Sequence, residues 1–323
     1  MNSSHYFNPY SGQNFFGFFL QLTFRFWSFI TGEIGVDDLT ADEIQILVLA
    51  GVAASSALVG TFLVLRKMTM LANSLSHTIL VGIVLAFLWT YGAGSKGLPH
   101  TEEISIHILL IAAFIMGLVT AFLTELLVKG VRLQEDASTG IVFTSLFAVG
   151  IIAVTLLTRN AHIGTEAVMG NVDALQIGDF KLVLLVLGIN LLIFFLFFKE
   201  FKITTFDSGL ARSFGISPVF FSYLLMTQVS LTAIGAFRAV GVLMVLAFIT
   251  GPPLIALLLT KSLKKMLLIS MGVGIVTSLI GVALSRHLLT VYAISLSTAG
   301  VVVCVIVVFY LAAALFRKLP QSR

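Results

Sequence analysis

The chain has 323 residues, of which 58% are hydrophobic and 11% charged, with a formal net charge of +4. Soluble domains carry about 25% charged residues, so this chain cannot coat a water-facing surface and is not expected among soluble enzymes. The small basic surplus does not point to nucleic acid, because membrane proteins concentrate Lys and Arg on their cytoplasmic side.

The expected class is all-α, a polytopic transmembrane helical bundle of roughly eight to ten spans at about 20 apolar residues each. An N-terminal leader, residues 1–43, contains a first apolar run at 15–30 with Arg25 in its middle. A charge at the bilayer centre costs at least about 2.5 kcal/mol, so this run reads equally as an interfacial helix or as a span. Its flank is polar, not basic, so no cleavable signal peptide is evident. A transmembrane domain is expected at 44–316, and a cytoplasmic tail at residues 317–323. The strong apolar segments lie at 44–65, 73–93, 104–128, 138–158, 179–198, 218–237, 239–260, 266–285 and 288–316.

Alternating these segments across a bilayer sorts the charges. Arg66, Lys67, Lys129, Arg132, Lys199, Lys202, Arg212, Lys261, Lys264, Lys265, Arg317, Lys318 and Arg323 fall on one side. Lys96, Arg159, Lys181, Arg238 and Arg286 fall on the other, with most of the acids. The first side is therefore expected in the cytoplasm, as is the C-terminus.

The chain has no phosphate-binding G-x-x-x-x-G-K-[ST] loop, no H-E-x-x-H and no C-x-x-C. Its single cysteine, Cys304, sits in an apolar run and reads as a buried, inert thiol. Gly272 and Gly274 suit close helix packing better than dinucleotide binding. Without a catalytic motif, the remaining classes are channel, carrier, or membrane subunit of a larger machine.

Polar groups inside the membrane are expensive and so mark candidate sites. Asn73 and His77 are four residues apart, on one helical face. His77 lies about 15 Å along the helix from the Arg66-Lys67 pair, near the depth at which transporters hold substrate. A neutral imidazole suits borderline transition metals, but the same histidine could equally tie two helices together. Glu125 and Lys129 read as an ion pair near a helix end, and Asn190 and Gln228 as interhelical hydrogen-bonders. Gly251-Pro252-Pro253 should kink or break its helix.

The segment from Phe206 to Pro218 is densely punctuated. Asp207 or Ser208 can cap a short helix, Gly215 can end it and Pro218 can open the next span. Leu210 and Phe214 then share an apolar face on the water side of the membrane, suited either to a partner or to the membrane surface.

Several blocks, in order along residues 44 to 303, carry a resemblance to the integral-membrane permeases of metal-type ABC importers. Leu63-Val64-Leu65-Arg66-Lys67-Met68 followed by Ala72-Asn73-Ser74-Leu75-Ser76-His77 is similar to the family's V-L-R-R-M…G-D-A-L-S-H. Glu135-Asp136-Ala137-Ser138-Thr139-Gly140-Ile141-Val142-Phe143 resembles its E-D-A-x-x-G-I-x-F, and Met169-Gly170-Asn171-Val172 its outer-loop element. Phe206-Asp207 with Ala211-Arg212-Ser213-Phe214-Gly215 resembles the segment that couples to the ATPase. Val240-Gly241-Val242-Leu243 through Pro252 resembles its V-G-x-L-L…P block.

The resemblance implies a BtuC-like permease fold in a bacterial inner membrane. It implies cytoplasmic ABC ATPase subunits, a second permease subunit in a homo- or heterodimer, and an external metal-binding lipoprotein or periplasmic protein. It implies manganese, zinc or iron as transported substrate, no covalently bound cofactor and no nucleic acid. His77 matches the family's metal-pathway histidine, and Asp207, Leu210, Ala211, Arg212, Phe214 and Gly215 match the ATPase-coupling segment. Asn73 stands where the family has an aspartate, and an amide is a poorer partner for a divalent cation than a carboxylate. A cobalamin-like or metal-chelate permease is the alternative within the class, and an autonomous secondary metal carrier the alternative outside it.

Overall fold

A computed structural model describes residues 9–10, 12–32, 35, 38–69, 81–82, 84, 106–158 and 172–318. Among these the regular structure is helical: α1 (Phe15–Ile30), α2 (Ala41–Leu65), α3 (Ile106–Gly130), α4 (Glu135–Thr158), α5 (Ile177–Leu196), α6 (Phe198–Phe206), α7 (Ser208–Ser213), α8 (Pro218–Val240), α9 (Val242–Leu259), α10 (Leu263–Tyr292) and α11 (Thr298–Lys318). Six of them, α2, α5, α8, α9, α10 and α11, are long and apolar enough to cross a membrane. Helices α3 and α4, at 25 and 24 residues, reach a similar length. The segment 73–93 lies largely outside the described residues.

Helix α2 is the axis of the bundle. It packs against α10, α9, α5 and α8, and Val48, Leu49, Val52, Ala53, Ala57, Val59, Phe62 and Leu63 are almost fully buried. A helix that is apolar all round is one enclosed on all sides. Small residues let its neighbours approach. A Cβ built on Gly60 would lie 1.9 Å from the Ile249 carbonyl oxygen of α9. Gly274 of α10 meets Ala53 at 3.1 Å, whereas Gly272 has nothing within 4 Å. Only Gly274 of that pair is a packing glycine.

Three sequence expectations change. Of the kink or break expected at Gly251-Pro252-Pro253, the break does not occur: helix α9 is continuous through both prolines. Pro253 has no N–H for the Ile249 carbonyl four residues back, and that carbonyl faces Gly60 instead. The join expected at 286–287 is helical, and the break falls at 293–297, after Ala293 in the left-handed region (φ 54°). Cys304 is exposed on the outside of α11 rather than buried.

The run at 15–30 lies across the end of the bundle. Phe15 packs edge-on against His287, close to the end of α10, with ring centroids 6.4 Å apart. Arg25 pairs with Glu43 in the first turn of α2. These α1 residues are about 15 Å apart along the helix, yet both touch helix ends on the same side. Arg25 is turned inward, while Phe16, Leu20, Phe24 and Trp27 form an exposed stripe.

Candidate functional site

The two ends of the bundle differ in chemistry. At the acidic end, Asp42 takes a bond from Arg286 Nη2 at 2.7 Å. Asp173 Oδ1 accepts from Gln45 Nε2 at 3.1 Å and from the Thr298 hydroxyl at 2.6 Å. These groups line a cavity of about 300 Å³. Beside it, Glu43 accepts from Tyr10 (2.7 Å), from Arg25 Nη2 (3.1 Å) and from the Thr40 amide (2.8 Å). Burial, then the bond to Glu43, pushes the Tyr10 phenol above its ordinary range, and the bond to Glu43 raises Arg25.

Among the described residues at mid-depth, the polar groups that bond between helices are neutral. Asn190 of α5 donates to Ser55 of α2 at 2.8 Å and to Thr232 of α8 at 2.7 Å. Gln228 donates to Asn190 at 3.4 Å. The expectation that Asn190 and Gln228 bond between helices is met. His77 and Asn73 lie outside the described residues. Among the described residues, no three His, Cys, Asp or Glu side chains converge as a metal site.

The basic end carries the punctuated segment. Asp207 Oδ1 accepts from the Leu210 amide at 2.9 Å and caps α7. Gly215, at φ 76°, closes it: its amide bonds to Arg212 and that of Ile216 to Ala211. This is the paired-bond termination that a left-handed glycine permits. Ser217 then caps α8 with Pro218 in its first turn. Ala211 is buried and anchors α7, whereas Asp207, Leu210, Arg212, Phe214 and Gly215 are exposed. Phe206 extends the same exposed apolar surface. Sequence alone placed this helix because each stop and start signal is local.

Other features at this end were not read from the sequence. Glu125 and Lys129 form the expected ion pair, but they also border a cavity of about 200 Å³ with Pro218, Ser222, Tyr223 and Met226. Arg66, read above as a basic flank and as part of a family-like block, bonds to Thr204, Thr205 and Ser222. Its acceptors are more than 130 residues away, so no local pattern announces them. Helix α6 is held beneath by Phe201, fully buried among Phe62, Phe194 and Phe221.

The family model described as "ABC 3 transport family" matches residues 43–317. A "Probable metal transport system membrane protein" of Chlamydia muridarum is 43% identical over 94% of this chain and 93% of that protein. The "Manganese transport system membrane protein MntD" of Bacillus subtilis is 38% identical over 82% of this chain and 88% of its own length. Among solved structures, "PsaBC from Streptococcus pneumoniae in complex with Fab" superposes with a TM-score of 0.70 at 25% identity, covering 86% of this chain and 92% of that one.

Proposed function

The chain belongs to the ABC 3 transport family, and on that premise we propose that it is the permease subunit of an importer for divalent transition-metal ions. It is a multi-pass membrane permease, and ATP hydrolysis belongs to a separate ATPase. The observation that carries the metal is the 43% identity, across nearly the whole of both chains, to a protein named for metal transport. Manganese, zinc and iron are the cargo this reading takes.

In the proposed arrangement the basic end faces the cytoplasm of a bacterial cell and the acidic end faces out. An external solute-binding protein delivers the ion at the acidic end. His77 lines the path, and a second permease supplies a carboxylate where this chain has Asn73. Helix α7 docks to the ATPase through Leu210 and Phe214, with Asp207, Ala211, Arg212 and Gly215 fixing its shape.

The test is ATP-dependent uptake of manganese(II), zinc(II) and iron(II) into vesicles holding this chain with its ATPase and partner permease. Wild-type uptake that requires ATP and is lost in His77→Ala, with assembly intact, supports the reading. Uptake without ATP would promote the autonomous carrier instead. Unchanged uptake by both His77→Ala and Asn73→Asp would move the path to other residues.

A further inference from the structure

An arginine at the end of a spanning helix ordinarily extends its head to water or headgroups. Arg66 does something more specific. Its Nε donates to Thr205 at 3.1 Å, its Nη2 to Thr204 at 2.9 Å and its Nη1 to Ser222 at 3.1 Å. Three faces of one planar fork thus reach two residues of α6 and one of α8, from the last turn of α2. Thr204 is itself buried and donates to the Glu200 carbonyl at 2.8 Å, which fixes the lone pair offered to Arg66.

What flanks Arg66 on either side is stiff. Toward α7, only the capping residue Asp207 separates the end of α6 at Phe206 from the start of α7 at Ser208. Phe201 locks α6 to the body, with ring centroids 4.8 Å from Phe194 and 5.2 Å from Phe221. Toward the other side, Lys67 adopts the left-handed region at φ 60°. The Lys67 amide bonds to Val64 and that of Met68 to Leu63, the same paired termination that closes α7. A left-handed residue that is not glycine is strained, so the turn is held by its surroundings. Met68 is buried in the core cluster, which anchors the chain just beyond that turn.

We propose that Arg66 is a positioning residue that transmits movement of α7 and α6 into the end of α2, the axis of the bundle. The proposal rests on the permease reading above, in which the ATPase pushes on α7. The aromatic contacts under α6 hold it to the body through a single side chain, Phe201. The guanidinium fork is directional, and its three acceptors can be satisfied together only in one placement of α6 relative to α2 and α8. A lysine supplies a point charge without the planar fork, so it preserves charge while loosening that placement.

The experiment measures manganese(II) uptake and ATP hydrolysis together, in proteoliposomes holding this chain with its ATPase, partner permease and external binding protein. The chains compared are wild type, Arg66→Ala, Arg66→Lys and the double variant Thr204→Val/Thr205→Val. The expected result is basal hydrolysis and assembly as in wild type, with ions moved per ATP falling about tenfold in Arg66→Ala, the scale of one lost charged hydrogen bond. Arg66→Lys should fall between. Ions per ATP unchanged in Arg66→Ala would overturn the proposal. If Arg66→Ala does not assemble, the double variant decides on the same ratio: a wild-type ratio overturns the proposal and a reduced one supports it. A wild-type complex that shows no ATP-dependent uptake of manganese(II), zinc(II) or iron(II) fails at the permease reading itself, and the role of Arg66 falls with it; where zinc(II) or iron(II) is the ion taken up, the same ratio is read with that ion.

Discussion

Asn190 shows how a single side chain can hold three helices where no water competes. Its amide reaches Ser55 on α2 and Thr232 on α8 from a position on α5 that is fully buried. The position lies about 20 Å along α5 from its acidic-end start. Bonds of this kind in membranes average roughly 0.6 kcal/mol each and reach about 1.7. Asn190→Leu should therefore lower stability by about 1 kcal/mol. Asn190→Asp introduces a charge near the bilayer centre and should cost at least about 2.5 kcal/mol. Unfolding of the purified chain by a denaturing detergent titrated into mild micelles measures both. Equal midpoints for the two variants would mean that water reaches this site. The sequence disclosed Asn190 as a polar residue in an apolar run but not its partners, because Ser55 and Thr232 are separated from it along the chain by 135 and 42 positions. Asp207 is the opposite case. Its acceptor role is played out three residues away, and the sequence narrowed the cap to Asp207 or Ser208.

At the scale of the element, the two proline positions in α9 illustrate how a neighbour answers a local defect. Proline withholds a donor, and an isolated helix answers with a kink or a break. Here the freed Ile249 carbonyl sits against Gly60, whose lack of a side chain brings α2 close enough for a Cα–H contact. The helix stays continuous because its neighbour accommodates the defect. Gly60→Ala should then force α2 and α9 apart and cost about 3 kcal/mol, the upper range for overpacking. Gly300→Ala on α11, with nothing within 4 Å of the added carbon, should be neutral or slightly stabilising. The same detergent titration separates them, and equal stability of the two would dismiss the close approach. The break after Ala293 was displaced from the expected 286–287 for a related reason. Arg286 and His287 look like loop residues in sequence, but Asp42 and Phe15 receive them from α2 and α1, so the helix carries them. Helix α7 needed no such help, since its cap and its stop lie within nine residues. If α7 is the ATPase-docking element, Leu210→Asp with Phe214→Asp should abolish co-purification with the ATPase while leaving the chain's detergent stability unchanged. Retained co-purification would place the docking surface elsewhere.

At the scale of the molecule, the sorting of charge is the feature most legible in the sequence and the one that sets direction. Lys261, Lys264 and Lys265 flank the short connection between α9 and α10, at the same end as Arg66 and α7. The turn at 293–297, joining α10 to α11, lies with Asp42 and Asp173 at the other end. Basic residues near span ends remain on the cytoplasmic side because translocating them is unfavourable. Cys304 is the sole cysteine, so Cys304→Ser gives a thiol-free background in which single cysteines report on sidedness. Ser295, exposed in the 293–297 turn, and Ser213, exposed at the end of α7, mark the two ends. A membrane-impermeant maleimide added to intact cells should label Ser295→Cys and leave Ser213→Cys untouched until the membrane is opened. The reverse pattern would invert the molecule, turning α7 away from any cytoplasmic ATPase and the acidic cavity away from any external donor. One labelling experiment thus tests the premise shared by the proposed delivery of the ion, the docking of α7 and the path through Arg66.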